Sequence, residues 1–292
     1  MKNIENVIKP IIFLAGLWGI LTLIGLYLKP EVYSGQDSVD VVTEEIKDTG
    51  IDDIVYIGDS ESISSLNPEV MEDMGYSLYV CGTAGQKLAS TQEIVEQSYE
   101  EKQEKMLIYE VNNAFVHMDW NEYSLSIVEN DYPAVKYHDE WKNRIKEACG
   151  ERKNNKVRKE REHRGYNPSD AVASAPRDLY LNYMNDSEEV LEVPHVNAYV
   201  IGKMKRFCDD NDIEFLMISS PSAKNWSMKK HNGMQALADK LDVTYLDCNM
   251  IKEIGIDWET DTRDGGDHLN NAGAEKLARY VGRYITDRKL VR

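Results

Sequence analysis

The sequence has 292 residues, of which 42% are hydrophobic, and this length allows one large domain or two small ones. The hydrophobic fraction excludes global disorder, because it is sufficient to build a buried core. The formal net charge of −17 argues against a general nucleic-acid-binding protein, which needs a basic surface. The four cysteines contain no Cys-X-X-Cys pair, so neither a zinc ribbon nor a dense disulfide framework is predicted. They are Cys81, Cys149, Cys208 and Cys248.

The N-terminal segment is apolar and differs from the rest of the chain. Nineteen uncharged residues, 10–28, lie between Lys9 and Lys29. At about 1.5 Å per residue, a helix of this length nearly crosses a ~30 Å hydrocarbon core. No small-residue cleavage motif follows the run, which favours a transmembrane anchor over residues 1–29 rather than a signal peptide. Lysines before the run and acidic residues after Lys29 predict a single-pass cell-membrane protein with an extracytoplasmic body.

The body alternates short apolar runs with stretches of helical periodicity. Residues 30–50 are polar and acidic and predict a juxtamembrane spacer that includes a helix over 41–47. The predicted strands are 53–57, 77–81, 106–111, 214–219 and 243–246. The predicted helices are 68–74, 90–102, 196–211, 234–241 and 271–287. This order predicts an α/β domain over 51–292, with a five-stranded parallel sheet in a three-layer α/β/α, flavodoxin-like arrangement.

A long insertion, 113–194, interrupts this alternation and is too long for a simple connection. Its first part is rich in aromatic residues, and its segment 142–164 holds ten Lys or Arg against four Glu. The basic segment is either a docking surface for an anionic polymer or a solvated helix. His117 and His138 lack a paired ligand pattern, so no metal site is predicted.

Polar residues and glycines follow the predicted strands and precede the last helix. A parallel sheet brings the ends of its strands to one edge, so these positions are expected to meet there. Serine acyl transfer needs a hydroxyl, an imidazole, a carboxylate that orients the imidazole, and donors for an oxyanion. All four are present in the candidates, which are Ser60, Gly85, Asn112, Asp264, Asp267 and His268.

These motifs resemble those of the SGNH/GDSL hydrolase family over roughly residues 50–112 and 195–290. The matching blocks, in chain order, are Gly58-Asp59-Ser60, Gly85 in GTAGQ, Asn112 in EVNN and His268 in DGGDHLN. The resemblance implies that Ser60 is the nucleophile and His268 the base. It also implies an oxyanion hole made by the Ser60 and Gly85 N–H groups and the Asn112 side chain, with no cofactor.

The sequence departs from the family pattern at two positions. The aspartate usually found three residues before the histidine is replaced by Gly265, with Asp264 one residue earlier and Asp267 next to His268. We favour Asp264 as the triad acid because a glycine pair lets the loop absorb one residue, and we keep Asp267 as the alternative. Glu61 stands where the family usually has leucine.

The chain further resembles a membrane-anchored subgroup of this family, through its N-terminal helix and the HLN-x-x-GA motif at residues 268–274. D-alanyl transfer proteins and alginate O-acetylation proteins share this plan. The resemblance implies an acylated cell-envelope polymer, polysaccharide or teichoic acid, as substrate and a polytopic membrane-bound O-acyltransferase as partner. The hypothesis is therefore a membrane-anchored serine esterase or O-acyltransferase. The alternative is a non-catalytic partner of the same fold that binds the polymer or the acyltransferase.

Overall fold

A computed structural model describes residues 2–28, 39–48, 50–137, 141–150 and 162–291. The chain divides into two compact units, one formed by residues 1–34 and 119–158 and the other by 35–118 and 159–292. The predicted spacer at 30–50 and the basic segment at 142–164 lie partly outside the described residues, and His138 lies outside them. The predicted boundaries of anchor, spacer and insertion stay predictions.

The larger unit is built on a parallel sheet of five strands. They are β1 (Ile54–Ile57), β2 (Leu78–Val80), β3 (Met106–Glu110), β4 (Glu214–Ser219) and β5 (Thr244–Asp247). Their order in the sheet is β2-β1-β3-β4-β5, and each neighbouring pair is parallel. This is the flavodoxin-like order, in which the chain reverses its direction of winding between β1 and β3. The predicted α/β fold is confirmed.

Helices precede, connect and follow the strands. In chain order they are α1 (Lys2–Leu28), α2 (Val39–Asp48), α3 (Ser62–Ser65), α4 (Pro68–Asp73), α5 (Leu88–Lys102), α6 (Trp120–Asp131), α7 (Pro133–Lys136), α8 (Trp141–Ala148), α9 (Arg177–Asn182), α10 (His195–Asp210), α11 (Met228–Leu241) and α12 (Asn271–Arg288). The first three strands are buried along their whole length, as expected for a sheet covered on both faces.

The two faces of the sheet pack against different helices. Ile54 and Tyr56 of β1 belong to a core that also contains buried residues of α3, α4 and α12. Val55 and Ile57 point to the opposite face because side chains alternate along a strand. Helices α2, α5, α10 and α11 form the other layer: α5 contacts β1, α10 contacts β4, and α11 contacts β5. The result is the three-layer arrangement.

Local sequence fixes the start of the helices that matter for the site. Asn270 caps α12 by accepting a hydrogen bond from the Gly273 N–H at 3.2 Å, so the helix begins at Asn271, three residues after His268. Ser227 caps α11 in the same way through the Lys230 N–H at 3.4 Å. The apolar positions of α12 recur every three or four residues and are buried against the sheet.

The smaller unit contains the N-terminal helix. Within α1, residues Ile8–Leu28 have a mean hydropathy of 2.3, and 11% of the most apolar window is buried. By length and composition this helix can cross a membrane, a criterion that a signal sequence also meets. Helix α7 packs against α1 and α6, and α6 begins with a capping box formed by Asp119 and Glu122. In α8 the Lys142 and Lys146 side chains are exposed, as in a solvated helix.

Candidate active site

The site lies at the carboxyl end of the sheet, where β1 and β3 are neighbours. β1 leads through Gly58 and Asp59 into Ser60, which sits in a turn before α3. β3 leads into Asn112, the first residue of a short 3-10 helix. Because the winding direction reverses between these two strands, the loops that follow them part and leave a crevice.

Ser60, His268 and Asp264 form a hydrogen-bonded chain. The Ser60 Oγ lies 2.8 Å from His268 Nε2, and His268 Nδ1 lies 2.6 Å from Asp264 Oδ2. This is the order of groups that serine acyl transfer needs, with the imidazole between the hydroxyl and the carboxylate. The side chain of His268 is 16% exposed, so it remains accessible from one side.

The two candidate aspartates differ in their distance from the histidine. The Asp267 carboxylate lies 3.9 Å from His268 Nδ1, outside hydrogen-bond distance, and accepts from the Asn225 amide. Asp264 accepts from both the ring and the backbone N–H of His268, the latter at 2.8 Å. Of the two, the geometry therefore favours Asp264 as the group that orients the imidazole.

The glycine pair predicted to accommodate the displaced aspartate has an unusual backbone. Gly265 and Gly266 have φ values of +82° and +93°, which glycine adopts without strain. Hydrogen bonds hold the turn: the Gly266 N–H donates to Thr262 Oγ1 at 2.8 Å, and Thr262 Oγ1 donates to the His268 carbonyl at 3.1 Å. The left-handed residues let the loop turn back so that Asp264 reaches His268.

The ionised form of Asp264 is stabilised by its contacts with His268. Partial burial raises its pKa, but the two hydrogen bonds from His268 outweigh this effect and hold the pKa below its usual value. An ionised Asp264 accepts a hydrogen bond from the Nδ1–H of His268, and in that tautomer the Nε2 lone pair faces the Ser60 hydroxyl at 2.8 Å. In that tautomer, His268 can receive the serine proton.

Asn112 is held by one side-chain and one backbone hydrogen bond. Its Nδ2 donates to Asp59 Oδ2 at 2.9 Å, and its backbone N–H donates to Glu110 Oε2 at 3.0 Å. An amide nitrogen carries two hydrogens, and the bond to Asp59 uses one of them. Asp59 directly precedes Ser60, which places Asn112 against the nucleophile turn.

The two glycines after β2 have different surroundings. Gly85, the expected oxyanion-hole residue, is exposed with φ +65°, in a turn closed by the Gln86 N–H and the Thr83 carbonyl at 3.2 Å. Gly82 is buried, and a Cβ there would overlap with Ser62 Oγ and lie 3.1 Å from the Gly58 carbonyl. Gly82 therefore lets the strand pass close to the nucleophile turn. This close approach was not predicted.

Three buried carboxyl groups surround the turn that carries Ser60, and no role was predicted for them. Burial raises the pKa of Asp59, and it raises those of Glu61 and Glu110 well above their ordinary value, with a further increase from neighbouring carboxylates. Glu61 Oε1 accepts from the Asn225 amide at 3.2 Å, and among the described residues Glu61 Oε2 has no hydrogen-bond partner. The turn that carries Ser60 is thus surrounded by buried acid groups.

Lys230 is the basic residue among these carboxyl groups. Its Nζ donates to the Asn225 carbonyl at 2.6 Å and to Asn112 Oδ1 at 3.3 Å, and it lies over the rings of Phe115 and Trp226. Burial lowers its pKa. Lys230 lies before the predicted helix 234–241, and its role was not predicted.

Side chains that could hold a metal overlap with the candidate triad. Glu61, Asp267 and His268 each offer one ligand atom, and these atoms lie within 4.8 Å of one another. A cation there would compete with Ser60 and Asp264 for the imidazole. The donor set therefore fits proton transfer better than a resident metal.

A second histidine–carboxylate pair lies on neighbouring elements. Asp247, at the end of β5, accepts from Trp226 Nε1 at 3.0 Å and from Ser219 Oγ at 2.7 Å, and lies 2.7 Å from His231 Nδ1. Burial raises the pKa of Asp247, but these hydrogen bonds together hold it below its usual value. The pair fixes the loop that carries Trp226 and Asn225.

Comparisons with known proteins give low similarity. No family model matches the sequence, and no curated protein matches it. The crystal structure of a proposed acylhydrolase from Bacteroides fragilis is similar at 11% identity and a TM-score of 0.45, covering 88% of this chain and all of that one. A GDSL-like lipase structure from Bacteroides thetaiotaomicron is similar at 10% identity and a TM-score of 0.42, covering 87% of this chain and all of that one.

Proposed function

We propose that the chain is a serine-dependent acyl-ester enzyme of the SGNH/GDSL type. The observation that carries this proposal is the continuous chain from Ser60 Oγ through the His268 ring to Asp264, with contacts of 2.8 and 2.6 Å. Such a chain activates a hydroxyl that is otherwise a weak nucleophile. In this account Ser60, His268 and Asp264 are the catalytic residues.

The reaction proceeds through an acyl-serine. Ser60 Oγ attacks the acyl carbonyl while its proton passes to His268 Nε2, and the carbonyl oxygen becomes an oxyanion. The Asn112 amide and the Ser60 and Gly85 N–H groups stabilise this oxyanion. Collapse breaks the ester bond, and the leaving alkoxide takes the proton from His268. Water or a polymer hydroxyl then attacks the acyl-serine by the same steps.

The proposed substrate is an acylated polymer of the cell envelope, and a polytopic membrane-bound O-acyltransferase is the proposed partner. The apolar segment Ile8–Leu28 of α1 supports a location at the membrane, since its length and composition allow it to cross one. Lys2 and Lys9 precede the uncharged run 10–28, and acidic residues follow Lys29, which favours an extracytoplasmic body. The catalytic unit would then work on the outer face of the membrane.

Trapping the acyl-enzyme tests the catalytic proposal. The purified full chain is mixed with p-nitrophenyl acetate, quenched in acid and mapped by peptide mass spectrometry. We expect one acetyl group on Ser60, lost in Ser60→Ala and retained in Ser124→Ala, whose exposed serine lies on α6. An unmodified chain that releases no nitrophenol would contradict the proposal.

The same intermediate separates hydrolysis from transfer. When a polysaccharide acceptor is added to the acetylated enzyme, a transferase passes the acetyl group to the polymer, whereas an esterase releases it to water as acetate.

The membrane anchor is tested by measuring the intact mass of the protein from washed membranes. A chain that keeps α1 and resists carbonate extraction supports the anchor, whereas a shortened soluble chain indicates a cleaved signal sequence.

A further inference from the structure

Lys230 occupies a confined position beside the amide of Asn112. It lies in the first turn of α11, and its Nζ is 5.4 Å from the centre of the Phe115 ring and 5.6 Å from that of Trp226. The Asn225 carbonyl accepts from the same Nζ at 2.6 Å. Two rings and a carbonyl therefore leave the ammonium group little freedom, and its Nζ also donates to Asn112 Oδ1 at 3.3 Å.

The chemistry of these groups fixes which way the Asn112 amide faces. An ammonium group has donors only, so the atom of Asn112 that faces Lys230 must be its oxygen. The amide nitrogen then lies on the other side, where Asp59 Oδ2 accepts from it at 2.9 Å. In the flipped amide, nitrogen would face the ammonium and oxygen would face the carboxylate, and both pairs would repel.

We infer that Lys230 is a positioning residue for the oxyanion hole, which holds the Asn112 amide with its second N–H directed at the oxyanion. The inference rests on the proposed function and adds a residue that the serine, glycine and asparagine motifs do not contain. Lys230 binds the oxygen of the Asn112 amide and Asp59 binds its nitrogen, so together they fix its orientation. A donor held in place before the reaction needs no reorientation when the oxyanion forms.

Lys230 also faces acidic groups, which suggests a different role to be tested against this one. Asp59, Glu61 and Glu110 are the carboxyl groups whose charge acts on it. A lysine that only balances their charge would stabilise the fold without acting through Asn112. If Lys230 only balances charge, the effects of changing Lys230 and Asn112 on kcat are independent. If Lys230 acts through Asn112, they are not.

A double-mutant cycle on ester hydrolysis separates these roles. The variants Lys230→Met, Asn112→Ala and their combination are compared in kcat and KM with p-nitrophenyl acetate. Removing one oxyanion donor costs about 10²-fold in kcat, so this is expected for Asn112→Ala. Lys230→Met should lower kcat by about 10-fold or more at nearly constant KM, and the double variant should be no slower than Asn112→Ala alone.

Several outcomes would overturn the inference. Losses that multiply in the double variant show that Lys230 acts independently of Asn112, and an unchanged kcat in Lys230→Met shows that it does not position the amide. Lys230→Gln keeps an N–H donor without the charge and should recover most of kcat. If it stays as slow as Lys230→Met, the charge rather than the hydrogen bond matters and the inference fails.

The neighbouring lysine supplies a matched control. Lys229 lies on the same turn of α11, and its exposed Nζ lies 3.7 Å from Glu189. Lys229→Met should keep the kcat of the unchanged protein. Thermal unfolding of each variant shows whether it is folded. Failure of the proposed function is recognised separately, since the unchanged protein would then neither turn over the ester nor become acetylated at Ser60.

Discussion

The carboxylate of Asp264 holds both the ring and the backbone of His268. One oxygen lies 2.6 Å from Nδ1, and the other accepts the backbone N–H of His268 at 2.8 Å. The shape of the loop and the orientation of the imidazole are therefore set by the same side chain. A change in this loop is expected to act on the Ser60 hydroxyl through the ring.

The two aspartates near His268 should differ in their effect on activity. In Asp264→Asn the amide nitrogen can donate to Nδ1, which favours the wrong imidazole tautomer, and kcat should fall by about 10³–10⁴-fold. In Asp267→Asn the group 3.9 Å from the ring changes, and kcat should fall by less than about 10-fold. Steady-state ester hydrolysis measures both, and a larger loss in Asp267→Asn would reverse the assignment of the triad acid.

The glycine pair before the histidine should tolerate substitution unequally. Gly266→Ala combines φ +93° with a Cβ placed 2.8 Å from the Ala175 Cβ, whereas Gly265→Ala has φ +82° and its nearest neighbour at 3.9 Å. We expect Gly265→Ala to lower the free energy of unfolding by about 1 kcal/mol and Gly266→Ala by about 2–4 kcal/mol. Denaturant unfolding measures both, and equal losses would contradict this description of the loop.

Gly82 should be needed because the chain after β2 packs closely against residues 58–62, the turn that carries Ser60. In Gly82→Ala the added methyl group overlaps with the buried Ser62 hydroxyl, so the free energy of unfolding should fall by about 1–3 kcal/mol and kcat should fall with it. Gly75→Ala is the control, because it has open space and only a left-handed φ of +90°. It should cost about 1 kcal/mol and leave kcat unchanged. A Gly82→Ala variant as active and stable as the control would refute the close-approach argument.

Glu104 should make the protein less stable as the pH rises from about 4.5 to about 7. Burial raises its pKa to about 7, against 4.5 for the unperturbed group. The folded state then holds a proton that the unfolded state has lost, so stability falls between about pH 4.5 and 7, by up to about 3 kcal/mol. In Glu104→Gln this fall should be smaller. Unfolding at pH 5 and pH 8 measures it, and the same pH dependence in both proteins would contradict the prediction.

Much of the fold could be predicted because it depends on local patterns. The strands are short apolar runs, and all five fall within a residue or two of their expected ranges. Parallel strands bring their ends to one edge, which is why Ser60, Asn112 and His268 could be expected to lie together from the sequence alone. The roles assigned to these residues and to Gly85 stay predictions.

The charged groups of the site could not be predicted, because their state depends on burial. Lys230 follows Lys229 in a polar segment, and periodicity does not tell which of the two is covered by Phe115 and Trp226. Two signals were present in the sequence. Glu110 ends an otherwise apolar strand. Glu61 stands where the SGNH/GDSL family, which the sequence resembles, usually has leucine. Both are buried, at 1% exposure.

Active-site labelling of the full chain tests the central claim most directly. The protein is treated with a serine-reactive fluorophosphonate, and the adduct is mapped and timed. We predict one adduct on Ser60, none in Ser60→Ala, and labelling slowed by at least about 10²-fold in His268→Ala, which lacks the general base. A folded protein that gives no adduct, or an adduct on another serine, would contradict the account.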